Sequence, residues 1–180
     1  NLFIIYKSYN NTIKCYTNTY LDNNYSNNNE ISMVFSIHFY HIIYFLHKLR
    51  FDDWLHHILM VFVCLPLTIQ LNNSYIINHT LFFLIGLPGC IDYFLLFLVR
   101  NNILLKYTEK YYNVLINLWI RCPGCIASST LILKNFGKNY KTISYKDSIY
   151  MLIICTLIYW NGIYFMYLTI YDYLIKYKKI

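Results

Sequence analysis

The chain has 180 residues, of which 58% are hydrophobic and 20% aromatic but only 13% charged. An ordinary soluble domain carries roughly a quarter charged residues, so a soluble class is excluded and an integral membrane protein with one membrane domain is expected. The net charge of +7 lies in loops and tails between apolar runs, where anionic lipid headgroups, not nucleic acid, are the matching partner.

The first 30 residues read as a polar, Asn-rich arm. Because the sequence opens on Asn1 in place of Met, the chain is read as processed, truncated or incomplete at its start. Its abundant Asn and Tyr reflect a codon bias towards A and T as much as any chemistry.

Crossing a hydrocarbon core of about 30 Å takes roughly 20 helical residues. Five apolar runs approach that length: 31–49, 55–71, 79–99, 112–133 and 149–171. The first is bounded by Glu30 and by Lys48 and Arg50, and the third closes on Arg100. The fourth is broken near its middle by Arg121-Cys122-Pro123-Gly124. A basic tail with Lys176, Lys178 and Lys179 follows the fifth. The expected fold is therefore all-α: a multi-pass transmembrane helical bundle of about five spanning helices, with the arm at 1–30, the membrane domain at 31–175 and the tail at 176–180.

Five crossings place six Lys and Arg on the side of the arm and eight on the other, too even a split to orient the chain. Glycosylation sequons at Asn10, Asn24, Asn72 and Asn78 all fall on the less basic side, as a lumenal face requires.

The run Asp52-Asp53-Trp54-Leu55-His56-His57 opens the second apolar stretch. Ionisable groups at a membrane segment usually pair, line a cavity or do chemistry. His38 and His41 share a face of the first helix. A hairpin of the first two helices would then gather His41, His47, Asp53 and His57. Three uses fit: a zinc or iron site, hydrogen-bonded packing between helices, or proton transfer with His56 or His57 as general base. The spacing matches metal-ligand patterns only loosely, and no metal or other cofactor is expected.

The third run contains Gly86-Leu87-Pro88-Gly89-Cys90-Ile91-Asp92-Tyr93, where a kink near Pro88 is expected. Asp92 and Arg121 lie at matching depths, roughly 12 to 14 Å from one membrane face at helical rise. They are expected to form a buried pair or to share a polar network. The six cysteines read as buried free thiols. Cys122-Pro123-Gly124-Cys125 has redox spacing without a thioredoxin-like pattern, so a kink is the expectation there.

The His56-His57 pair at a helix entrance, the Leu71-Asn72-Asn73-Ser74-Tyr75 segment and the Gly-rich third helix ending in Asp92 resemble the TLC-domain family, which includes ceramide synthases. The resemblance covers roughly residues 35–135. It implies a multi-helical membrane protein that handles lipids. In catalytic members a His pair and downstream acidic residues form an acyl-transfer site, which would make His56, His57 and Asp92 the catalytic set here, supported by His41, His47 and Asp53. Pro88 and Gly89 stand where the His-Asp half of the downstream element would lie.

Two roles follow. One is a TLC-like lipid-binding or lipid-handling protein, catalytic or not, with membrane lipids as partners. The other is a non-catalytic subunit of a larger membrane complex, such as a mitochondrial respiratory or ATP synthase assembly. The endoplasmic reticulum and the mitochondrial inner membrane are the corresponding locations.

Overall fold

The computed structural model describes residues 1–17, 29–47, 49–71, 74–139 and 141–178. Among them no strand occurs, and the fold is an all-α helical bundle. Four helices are long and apolar enough to cross a membrane: Phe51–Leu71, Tyr75–Arg100, Lys106–Asn139 and Tyr145–Tyr177, the first to fourth spans below. They mark the chain as an integral membrane protein.

The expected crossing over 31–49 is replaced by a shorter helix, α2, at Asn29–Phe45. Its 17 residues rise about 26 Å, short of a hydrocarbon core of about 30 Å. The chain leaves the helix at Leu46 and His47 because the next helix needs a cap. The Arg50 N–H donates to Asp53 Oδ2 at 3.0 Å, and the Arg50 guanidinium pairs with the same carboxylate at 3.6 Å. This one-way cap, the Asp53 carboxylate on the Arg50 N–H, starts the first span at Phe51.

Part of the polar arm is also a helix. Residues Leu2–Thr17 form α1, which buries Ile4, Ser8, Thr12 and Cys15 at every third or fourth position. That stripe packs against the start of the second span. Ser8 and Thr12 donate their hydroxyls to the carbonyls of Ile4 and Ser8, so the stripe buries no unpaired hydroxyl.

All four spans carry a stretch of π-helix, and in the first three it ends two residues before a proline. His57–Cys64 precedes Pro66, Phe82–Gly86 precedes Pro88, and Asn117–Arg121 precedes Pro123. A proline ring has no N–H to donate and collides with the carbonyl four residues earlier. Widening the turn to i→i+5 bonds moves that carbonyl away, so the helix continues where a kink or break was expected. The third span thus runs unbroken through Arg121-Cys122-Pro123-Gly124.

The third and fourth spans form the most extensive helix pair. Gly162 permits it, since a Cβ there would lie 2.7 Å from Cys125 Cβ. Gly124 likewise lets Phe83 of the second span close in, a Cβ on it meeting the ring at 2.3 Å. Small residues at such contacts let membrane helices approach closely. The Cys-Pro-Gly-Cys run is therefore a packing seam, with Cys122 and Cys125 buried as free thiols. The principal core joins Met60, Cys64, Leu84, Cys125, Ile154 and Ile158 from all four spans.

Candidate functional site

Three histidines converge where α2 meets the first span. His38 lies seven residues before the end of α2 at Phe45, and His57 six residues after the first span begins at Phe51. At about 1.5 Å per residue the two stand at nearly the same height in the hairpin. Their Nδ1 atoms are 3.3 Å apart, so one donates to the other. His56 completes the group, with ring centroids 5.5 Å from His38 and 5.4 Å from His57.

The register explains what became of the expected quartet. Ending α2 at Phe45 leaves His47 exposed in the turn. His41, one turn closer to the hairpin than His38, meets Tyr93 of the second span, Nε2 to hydroxyl 2.5 Å. Asp53 is the helix cap and pairs with Arg50. Its neighbour Asp52 accepts a hydrogen bond from the Tyr164 hydroxyl. Of the anticipated His41, His47, Asp53 and His57, only His57 belongs to the cluster.

His56 is held from behind by a chain of polar contacts. Arg121 Nη2 donates to Asn161 Oδ1 at 2.9 Å, and Asn161 Nδ2 lies 2.9 Å from His56 Nδ1. The guanidinium has donors only, so it fixes the amide with oxygen towards Arg121 and nitrogen towards the histidine. His56 Nδ1 must then accept, and the neutral ring carries its proton on Nε2. Phe165 packs against both ends of this chain, 5.1 Å from the His56 ring and 5.1 Å from the guanidinium.

Asp92 is not part of it. Its carboxylate accepts from Asn113 Nδ2, and Asn113 Oδ1 in turn accepts from Asn117 Nδ2 at 2.9 Å. Among the described residues Asp92 and Arg121, expected to pair or to share a polar network, make no direct ion pair; their hydrogen-bond partners are Asn113 and Asn161. Between the two chains lie Asn117 Oδ1 and Arg121 Nε, an acceptor and a donor four residues apart, both buried without a partner.

The ring nitrogens of His38, His56 and His57 can approach within 4.8 Å of one another, close enough for a metal ion. The donor set argues against one. His56 Nδ1 is engaged and its Nε2 bears a proton, while the guanidinium behind Asn161 repels a cation. A neutral imidazole has one lone pair to give.

His38 and His56 stand at one end of a slot that runs between α2 and all four spans, the third contributing Ile132. Its free space is about 60 Å³, and its walls are almost wholly apolar, with Met60, Leu65, Leu84 and Ile154 among them and Leu71 and Ile76 at the far end. Thr68 and Thr80 also line it, but their hydroxyls donate to the Cys64 and Ile76 carbonyls and leave the wall without a free donor.

A second buried polar group escaped the sequence. His79, fully buried, joins Tyr16 of α1 (Nε2 to hydroxyl, 2.6 Å) to Ser128 of the third span (Nδ1 to Oγ, 2.8 Å). Ser128 gives its own proton to the Gly124 carbonyl, so His79 donates from Nδ1 and accepts the Tyr16 proton at Nε2. Both nitrogens are satisfied, which makes this a structural pin. The neighbouring Asn78 is buried, contrary to its reading as a glycan acceptor, while Asn10 is exposed. Asn24 and Asn72 lie outside the described residues.

No protein family, curated protein or solved structure matches the chain. The class that the fold itself defines is a multi-pass helical membrane protein.

Proposed function

We propose that this chain binds a lipid, its apolar chain lying in the slot and its polar end beside His38 and His56. The observation that supports this reading is the slot itself: apolar along its walls, enclosed by helices on several sides, and basic at one end only. Membrane proteins place ionisable side chains against cavities when those cavities serve a ligand. The resemblance to TLC-domain proteins points the same way. Acyl transfer by His56, His57 and Asp92 has less support, because Asp92 is bonded to Asn113 and not to either histidine.

Mass spectrometry of lipids extracted from protein purified in mild detergent tests the proposal, with Ile154→Phe to fill the slot. One lipid class should co-purify in near-stoichiometric amount and be lost from the variant. Identical lipid profiles for the two proteins would overturn the reading.

The alternative of a subunit in a larger assembly has its own support. The spans are buried over only 22% to 44% of their apolar windows. Large side chains such as Trp119, Phe62 and Phe97 project outward, at 71%, 54% and 57% exposure. Migration of the native complex in mild detergent, compared with the mass of one chain, tests it. Fractionation would then separate an endoplasmic reticulum from a mitochondrial inner membrane location.

A further inference from the structure

We infer that the lipid bound in the slot carries an anionic oxygen head, a carboxylate or a phosphate, received by the Nε2–H of His56 with Arg121 behind it. The inference rests on the lipid-binding reading and adds the chemical class of the ligand.

The direction of the hydrogen bonds fixes which nitrogens of the cluster carry protons. Arg121 orients Asn161, and Asn161 donates to His56 Nδ1. His56 is thereby held as an Nε2–H donor, and among the described residues Nε2 has no partner. His38 and His57 share one proton between their Nδ1 atoms. Whichever of them donates, the other keeps its proton on Nε2, because a neutral imidazole carries one N–H. The cluster therefore has two Nε2–H donors and a single Nε2 lone pair, with His38 and His56 lining the slot.

The only formal charge behind it is the guanidinium, whose Nε is itself buried and unpartnered. Among the described residues no carboxylate touches it: Asp92, the acid that acts on it through space, is bonded to Asn113, Asp52 to Tyr164 and Asp53 to Arg50. A buried cation at membrane depth without a contacting counter-ion is costly. An anionic oxygen at the head of the slot would supply the missing charge and accept from His56. A cationic amine head would face the guanidinium and meet donors where it needs acceptors. From His56 to Leu71 the wall spans fifteen residues, about 22 Å at helical rise, the length of one extended acyl chain, and with about 60 Å³ of free space the slot must widen between the helices to admit it.

The test uses the full chain in detergent and four probes with the same oleyl tail: oleate, oleoyl-lysophosphatidate, methyl oleate and oleylamine. Binding is read by calorimetry. At least one of the two anionic probes should bind roughly tenfold or more tightly than methyl oleate, as expected for a charge-assisted hydrogen bond. Oleylamine should bind no better than methyl oleate. Oleate and lysophosphatidate together separate a carboxylate from a phosphate head.

Asn161→Asp is the decisive variant because it keeps the shape. Its carboxylate can pair with Arg121 and accept from His56 Nδ1–H, which moves the His56 lone pair to Nε2. The ratio of anionic-probe to methyl oleate affinity should fall to about one, and Arg121→Gln should reduce the same ratio. Equal binding of all four probes, or unchanged preference in Asn161→Asp, overturns the head assignment while leaving lipid binding intact. Failure of every probe to bind, or equal binding by Ile154→Phe, overturns the lipid reading and this inference with it.

Discussion

Arg121 on the third span and His56 on the first share no hydrogen bond, yet Asn161 on the fourth span binds both, each at 2.9 Å. One amide thereby couples a buried guanidinium to the protonation pattern of a histidine. Asn161 is fully buried, and its two ends have no alternative partners among the described residues.

Replacing Asn161 with Leu should therefore be costly. It leaves the guanidinium and His56 Nδ1 facing an apolar side chain, and an unsatisfied buried polar group costs about 1–3 kcal/mol, more when charged. A loss of about 3 kcal/mol is expected, measured by thermal unfolding in a fixed detergent. A loss under about 0.5 kcal/mol would mean that the contact carries little.

The Tyr16–His79–Ser128 relay should hold α1 onto the spans. Tyr16→Phe removes one hydrogen bond and should cost about 1 kcal/mol. His79→Leu removes two and should expose α1. Hydrogen exchange across Leu2–Thr17 is the readout: faster exchange is expected in both variants, greater for His79→Leu, with the third and fourth spans unchanged.

Glycines at the seam and at the free end of the third span should respond in opposite directions. Gly162→Ala places a Cβ 2.7 Å from Cys125 Cβ, overpacking that typically costs about 1–3 kcal/mol. At Gly137, in the last turn of the third span, a Cβ meets nothing within 4 Å. Gly137→Ala should stabilise by about 0.5–1 kcal/mol through helix propensity. Parallel melts of the two variants test the packing of the seam.

Cys15 should be a slow thiol. It lies on α1, outside the four spans, and burial pushes it up to about 11. The thiolate is the reactive form, so labelling by a small maleimide at pH 8 should fall at least roughly a hundredfold below that of an exposed cysteine. The rate should climb about tenfold per pH unit up to about pH 11. A plateau near pH 9, followed by peptide mass spectrometry, would show an open site.

Much of the architecture was legible because a bilayer asks for long apolar helices, and the starts and ends of four such helices could be placed near their charged flanks. What failed depended on register. His38 joins the cluster and His47 leaves it because α2 stops at Phe45 to let Asp53 cap the next helix. Period alone does not reveal such a competition. Asp92 and Arg121 were recognisable as buried charges, but Asn113 and Asn161, which answer them, were hidden by the abundance of Asn in the chain. His79 stood alone in the sequence, with partners 63 and 49 residues away.

The proline-linked π turns bear on how this chain can change length. An i→i+5 ring holds one residue more than an α turn, so deleting a residue within Asn117–Arg121 could be absorbed as ordinary helix without breaking the span. The residues on either side would keep their facing, because the wide turn and the tight one each close one circuit. Asn113 would stay beside Asp92 and Arg121 beside Asn161. A relative one residue shorter here would thus keep its crossing and its polar wiring, whereas the same deletion in the α-helical stretch Lys106–Ile116 would turn one side about 100° against the other.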